Sequence, residues 1–294
     1  MSHVRIDYLQ RAARQAGYAV PHMLGGTVEM AVGQLRAAEA RQSPFALGFA
    51  PGVFYMIPME VGLPMMVAAA RYAKVPVATQ LEHGHDFDTI MKAIRLGVSS
   101  VMFDGSELPY EENVARTSEV VRVAHTFDVA VEAELGYVGG SVFEGVETPS
   151  SRLTDPEAAL DFVRRTGVDT LAISFGNVHG KYHSLPQLDY ERVRKISSLV
   201  DVPLVMHGGS GLTEDEYRRV IAAGISNIHF YTRVASGVWG ELQRVAGGDQ
   251  VAPMYHTLVE RTCDHFYREA LSVIDMLGSA GRAGAFQPLV LTTN

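Results

Sequence analysis

His83, Glu134, His179 and His207 offer the imidazole and carboxylate donors that suit a zinc ion, and each falls at or just after the end of a predicted strand. Three histidines on one rim leave an open coordination position for a substrate, as a catalytic metal requires. Any one histidine reads more simply as a hydrogen-bonded core or surface residue, but three at strand ends rarely coincide. The run VAVEAELG brings acid to the same rim. Strand alternation sends Val129, Val131, Ala133 and Leu135 to one face and Glu132 with Glu134 to the other. Buried carboxylates are costly unless a cation or donor pairs them, and a metal supplies that pairing. A salt bridge to Lys or Arg is the alternative, and the neighbouring strands carry few.

Asp104, in FDGS, can serve as an alternate ligand, hold a ligand from behind, or cap the following turn. Glu82 and His83 are adjacent, so in a regular strand they face opposite sides. Both reach one site only if the strand ends there. Glu82 is then the carboxyl group nearest the metal without ligating it, available for general acid/base work; a solvated rim carboxylate is the competing reading.

The elements that must position these groups recur at about 30-residue intervals, the spacing of βα units. Candidate strands are Tyr18–Met23, Phe45–Ala50, Pro76–Glu82, Ser99–Asp104, Val129–Leu135, Asp169–Phe175, Pro203–His207 and Ile225–Tyr231. Helical patterns lie between them. Thr154 with Glu157 and Thr213 with Glu216 read as capping boxes, and Gly97, Gly167 and Gly224 close helices. This is the pattern of a (β/α)8 TIM barrel, an α/β fold with its active site at the C-terminal strand ends. Residues 1–282 make one barrel domain and 283–294 a C-terminal tail. The polar clusters LEHGHD, FDGS, EAELG, FGNVHG, MHGGSG and HFYTR all follow predicted strands. GGSG at 208–211 and Thr232, at the start of the last barrel helix, occupy the loops that often bind phosphate in such barrels. A flexible turn is the other reading of GGSG. Two connectors, Gly136–Ser151 and Asn177–Gln187, are long enough to be lids.

The 294 residues are 47% apolar and 20% charged, which excludes disordered, collagen-like and disulfide-scaffold classes. A net charge of -8 with no dense basic run argues against nucleic acid or anionic membrane as partner. Lone Cys263 cannot form an internal disulfide. The amphipathic start MSHVRIDYLQRAARQ does not read as a signal peptide, and Gly52–Ala70 is too broken by Pro58, Glu60 and Pro64 to span a membrane. A cytoplasmic location is the expectation.

With GYAVP, LEHGHDFDTI, GVSSVMFDGSELPYEENV, VEAELGYVGG, LTDP, TGVDTLAISFGNVHGKY and VDVPLVMHGGSGL in colinear order, the chain from about Val4 to Arg282 resembles the class II, zinc-dependent ketose-bisphosphate aldolases of the tagatose- and fructose-bisphosphate branch. The resemblance implies a lyase of carbohydrate metabolism that makes or cleaves a carbon–carbon bond through a zinc-stabilised, dihydroxyacetone-phosphate-like enediolate. It implies one catalytic Zn2+ with a monovalent cation as accessory, a sugar phosphate as small-molecule partner, and a homodimer or homotetramer. By position, His83, His179 and His207 match the zinc ligands, and Glu134 and Asp104 match carboxylates the metal visits. Gly180, Gly208, Gly209 and Ser210 match the phosphate cradle.

The departures from the family cluster on the chemistry. Glu82 stands where the family has an aspartate that protonates the aldehyde oxygen. His229 replaces an asparagine that contacts substrate and joins Glu82 as a catalytic candidate, while Tyr231 adds bulk beside Thr232 and the cradle. Leu24 replaces an asparagine, and His22 is an extra inward candidate. The family's loop glutamate, two residues beyond paired glycines, gives way to Ser141 and Val142, with Glu144 and Glu147 further on. A kept metal set beside a changed acid, base and phosphate end points to enolate chemistry on an altered substrate. A lyase or isomerase of a specialised pathway and a non-catalytic aldolase-related subunit are the alternatives.

Overall fold

The structure is a computed structural model that describes residues 2–52, 55, 57–141, 151–180, 182, 187–248 and 254–285. Its strands are β1 (Val20–Leu24), β2 (Phe45–Phe49), β3 (Val77–Gly84), β4 (Ser100–Phe103), β5 (Ala130–Leu135), β6 (Thr170–Ile173), β7 (Leu204–Met206) and β8 (Ile225–Phe230). They pair in parallel in sequence order and close β8 onto β1, so all eight expected strands are present in a TIM barrel. The helices are α1 (Ile6–Ala16), α2 (Val28–Arg41), α3 (Met59–Tyr72), α4 (Phe87–Arg95), α5 (Tyr110–Ala124), α6 (Pro156–Thr166), α7 (Tyr190–Leu199), α8 (Glu214–Ala223), α9 (Thr232–Gly248) and α10 (Tyr255–Met276).

Strand alternation splits the core in two. Met23, Leu47, Leu81, Val101 and Ala133 point outward into the large core beneath the helices. Their neighbours Val20, Ala46, Ala78 and Ala130 point inward and form a separate cluster with Ile6, Leu9 and Ala13 of α1. The alanines leave room at the N-terminal end of the barrel, and α1 fills it. Ile6 N–H donates to Ser100 Oγ at 3.1 Å and fixes the plug. The opposite end is left for chemistry.

Helix α10 lies beyond the eight βα units and packs along α2. Gly33 permits the contact, because a Cβ there would lie 2.4 Å from the carbonyl oxygen of Cys263. Arg36 with Asp264 and Arg41 with Asp275 join the same two helices. Past α10 the chain docks back on α2, with Gly281 N–H donating to Arg41 O and Ala283 N–H to Gln42 O, both at 2.8 Å. The rest of the proposed tail, 286–294, lies outside the described residues.

One of the two expected capping boxes needs revision. Thr213 and Glu216 do form a capping box on α8, but the cap of α6 is Asp155, not Thr154. Thr154 is buried and links strand ends instead: its hydroxyl donates to Leu135 O and accepts from Ser174 N–H. Of the long connectors, 142–150, 181 and 183–186 lie outside the described residues, and Val142, Glu144 and Glu147 with them. Among the described residues no helix is long and apolar enough to cross a membrane.

Candidate metal centre and active site

Glu82 and His83 both face the barrel mouth, though β3 does not end there. The pairing of β3 with β4 shifts register between Leu81 and Gly84, and His83 takes a left-handed φ of 47°. One residue out of phase turns two adjacent side chains to the same side. Gly84 makes the bulge possible, since a Cβ there would meet Met102 O at 2.9 Å.

Three imidazoles converge above the bulge. His83 Nδ1 lies 2.8 Å from Asp104 Oδ2, His207 Nε2 lies 2.8 Å from Glu132 Oε1, and His179 Nδ1 lies 3.1 Å from Val138 O. Each of these nitrogens faces an acceptor and therefore donates, which leaves the lone pair on the other nitrogen of each ring. Those three remaining nitrogens meet: the ligand atoms of His83, His179 and His207 lie within 4.8 Å of one another, with His83 Nε2 and His207 Nδ1 3.2 Å apart. His179 Nε2 is buried without a hydrogen-bond partner, and so is Oε2 of Glu134, whose Oε1 accepts Val138 N–H at 2.9 Å. Three converging lone pairs with an orphaned carboxylate oxygen beside His83 fit a divalent cation, and a second layer of acceptors already orients each ring.

The ionisation of these groups follows from their crowding and burial. Burial opposes charge on His83, yet Asp104, with Glu134 and Glu82 behind it, wins and raises the ring to about 9. Burial, helped by the charge of Asp104, pushes Glu134 up to about 8. Burial and the neighbouring His83 and His207 hold His179 down at about 3, the neutral form a metal ligand needs. Asp104 does two of the jobs expected of it: Oδ2 holds His83 while Oδ1 caps the turn through Ser106 N–H and Oγ. Glu132 and Glu134 share a face as alternation requires but differ in role. Glu132, with 0% exposure, is saturated by His207 and by Gln80 Nε2 at 3.2 Å, whereas Glu134 keeps an oxygen free.

Below this trio lies a second cluster. His22 Nε2 is 2.9 Å from one oxygen of Glu82 and His229 Nδ1 is 3.4 Å from the other. Asn227 Nδ2 donates to Val20 O at 2.9 Å, so its Oδ1 is fixed as the acceptor for His229 Nε2, also at 2.9 Å. The His229 ring stacks on that of His207 at 4.1 Å between centroids and tilts against that of His22 at 3.7 Å. Burial resists ionisation of Glu82, but His22 and His229 overcome it and hold the carboxyl well below its ordinary range. Glu82 is thus kept as a proton acceptor. Gly48 of β2 supplies its room, since a Cβ there would lie 1.7 Å from Glu82 Oε1.

A cavity of about 680 Å³ opens above both clusters. Gly180, Gly208, Ser210, Tyr231 and Thr232 line it beside the histidines. At Gly208 (φ 68°) a Cβ would sit 2.0 Å from Val178 O, so only glycine fits. The hydroxyls of Tyr182 and Tyr217 donate to Gly208 O at 3.0 Å and Gly209 O at 2.6 Å and stiffen the turn. Thr232 begins α9, as expected, and Arg233 N–H donates to Ser210 Oγ at 3.1 Å. Gly209 departs from the cradle proposed for it. Its N–H is spent on His229 O at 3.0 Å and a Cβ would strike Ile228, so it serves close packing under the turn.

Sequence reasoning did not single out Gln80, Asn227 or Gly48. The inward parity of the first two and the glycine inside FALGF were the available signals.

The family model described as fructose-bisphosphate aldolase class-II matches residues 4–282 of this parallel eight-stranded barrel. The chain belongs to that family. It is 36% identical over 279 residues to YdjI of Escherichia coli (strain K12), a protein described as uncharacterized, covering 95% of this chain and 98% of that one. The crystal structure of the YdjI aldolase superposes with a TM-score of 0.84 at 32% identity, over 96% of this chain and 99% of that one. A Coccidioides immitis protein provisionally assigned as a fructose-1,6-bisphosphate aldolase gives 0.86 at 30% identity, over 95% and 97%. Fructose-bisphosphate aldolase of Campylobacter jejuni, at 19% identity and 0.77 over 95% and 96%, shares the fold.

Proposed function

We propose that this protein is a zinc-dependent aldolase that makes or cleaves the carbon–carbon bond of a ketose phosphate, with dihydroxyacetone phosphate or an analogue as donor. The reading is carried by the convergence of the ring nitrogens of His83, His179 and His207, each ring's other nitrogen being committed to an acceptor. Asp104 and Glu134 form a second such group with His83. A divalent metal held there supplies Lewis-acid polarisation of the donor carbonyl.

The chain's own groups do the rest. Backbone N–H groups around Gly180, Gly208, Ser210 and Thr232, with the start of α9 beneath them, hold the donor phosphate. Glu82, kept ionised by His22 and His229, takes the hydroxyl proton when the bond is cleaved and returns it to the aldehyde oxygen when the bond is formed. His229, between Glu82 and Asn227, fixes the direction of that carboxylate and lines the cavity with it.

The deciding experiment is exchange of solvent deuterium into dihydroxyacetone phosphate by the zinc-loaded protein, beside a chelator-treated control. Metal-dependent exchange is expected. No exchange by protein with zinc demonstrably bound would reject this donor.

A further inference from the structure

The phosphate cradle occupies the loops after β7 and β8. In a closed barrel of eight strands the loops after β3 and β4 lie across the mouth from it. That far wall presents His85 and Glu107, with Tyr137 of the loop after β5 at its side. Among the described residues its charged group is the carboxylate of Glu107. Glu107 accepts the Tyr137 hydroxyl. His85 Nδ1 sits 3.3 Å from Asp104 O and donates to it.

Charge separates the two walls further. Four carboxylates line the cavity, Glu82, Asp104, Glu107 and Glu134, and among the described residues no Lys or Arg lines it. Lys181 is the one Lys or Arg of the sequence outside the described residues. Arg152 donates to Ser106 O and lies over the Tyr137 ring at 5.9 Å, outside the lining. A phosphate dianion placed against this wall meets like charge from Glu107, and among the described residues no Lys or Arg lines the cavity to offset it. Sugar hydroxyls, which donate, meet the partners they need.

From this we infer that the acceptor substrate is a hydroxylated aldehyde without a phosphate, so the ketose formed carries one phosphate, at the donor end. The inference rests on the proposed aldolase reading. In the addition the donor carbon loses a proton and bonds to the aldehyde carbon, the carbonyl π pair moves to its oxygen, and that oxygen takes up a proton. Atoms and charge balance without a further reactant.

The test uses the full-length, zinc-loaded chain with dihydroxyacetone phosphate and two aldehydes of one skeleton, D-glyceraldehyde and D-glyceraldehyde 3-phosphate. The expected kcat/KM favours the unphosphorylated aldehyde by more than about tenfold, the scale on which an unpaired like charge discriminates. Parity, or preference for the phosphorylated aldehyde, overturns the inference while deuterium exchange into the donor still supports the aldolase reading. Failure of exchange overturns both. Glu107→Lys should move the ratio toward the phosphorylated aldehyde by about tenfold or more, and an unmoved ratio would overturn the assignment of discrimination to this wall.

Discussion

At the N-terminal end of the barrel Val20, Ala46, Ala78 and Ala130 pack against Ile6, Leu9 and Ala13 of α1, an apolar plug with side chains small enough to admit a helix. A few residues further along those strands the inward positions become His22, Gly48, Glu82, Glu132 and Glu134, and the interior holds buried acids, stacked imidazoles and polar atoms with no partner. One set of strands thus carries two chemistries. Orphaned polar atoms occur at both ends, but at the plugged end they are amide and hydroxyl groups, on Gln10 of α1 and on Thr170, rather than metal-ligating groups. The open end concentrates them at His179 Nε2 and Glu134 Oε2 and braces each ring with a second acceptor.

Breaking the open end should cost function before stability. His179 sits on a loop and only Nδ1 of its ring is hydrogen-bonded, so His179→Ala should leave the fold intact. It should lower metal content to a small fraction of one per chain and activity by about 10³-fold or more, the several kcal/mol that a Lewis acid contributes. Metal analysis and initial rates check this together; full zinc content with full activity would remove His179 from the site. Glu82→Gln should spare the metal and lower kcat by about 10²–10⁴-fold, the range of general acid/base catalysis. Zinc retention with a collapsed kcat would separate the lower cluster from the metal trio. Loss of both would mean that the clusters stand or fall together.

These two sites were unequally legible. Strand-end position marked His83, His179, His207 and Glu134, and parity marked Glu132, because a period of two carries facing directly into a barrel interior. The bulge at His83 was only half visible. The adjacency of Glu82 and His83 demanded some break in alternation, yet a chain end and a register shift satisfy that demand equally from sequence, and the choice depends on β4 alongside. Partnership was hidden for a like reason. The clamp on Glu82 joins His22 of β1 to His229 of β8, neighbours only because the barrel closes. Gly209 looked like part of the cradle because it sits in GGSG, but its N–H had already gone to His229 O. Thr154 matched a capping pattern whose cap fell one residue later.

Overpacking the plugged end should do the reverse. Ala78→Leu adds bulk where Ile6 and Leu9 already fill the barrel floor. A loss of about 1–3 kcal/mol is expected in urea unfolding of the purified chain. Zinc content and kcat should stay near those of the parent. A fall in kcat without loss of stability would show that the floor is coupled to the site above it.

The smallest effect expected at the plugged end is a pH response of His3, whose segment pairs with the start of β3 through Val77. Its Nε2 lies 2.8 Å from Thr79 Oγ1, and burial, aided by the charge of Arg71, lowers the ring from 6.5 to about 4. Between those two values the unfolded chain binds a proton that the folded chain refuses, so stability rises with pH across the window. The contribution is complete above about 6.5 and is lost as pH falls toward about 4. His3→Gln, which keeps a hydrogen-bonding group and cannot titrate, should flatten the dependence of Tm on pH in that window. Such a change, with zinc content unaltered at neutral pH, would keep the two ends of the barrel independent. An unflattened profile would place the acid sensitivity elsewhere, in the imidazoles and carboxylates of the open end.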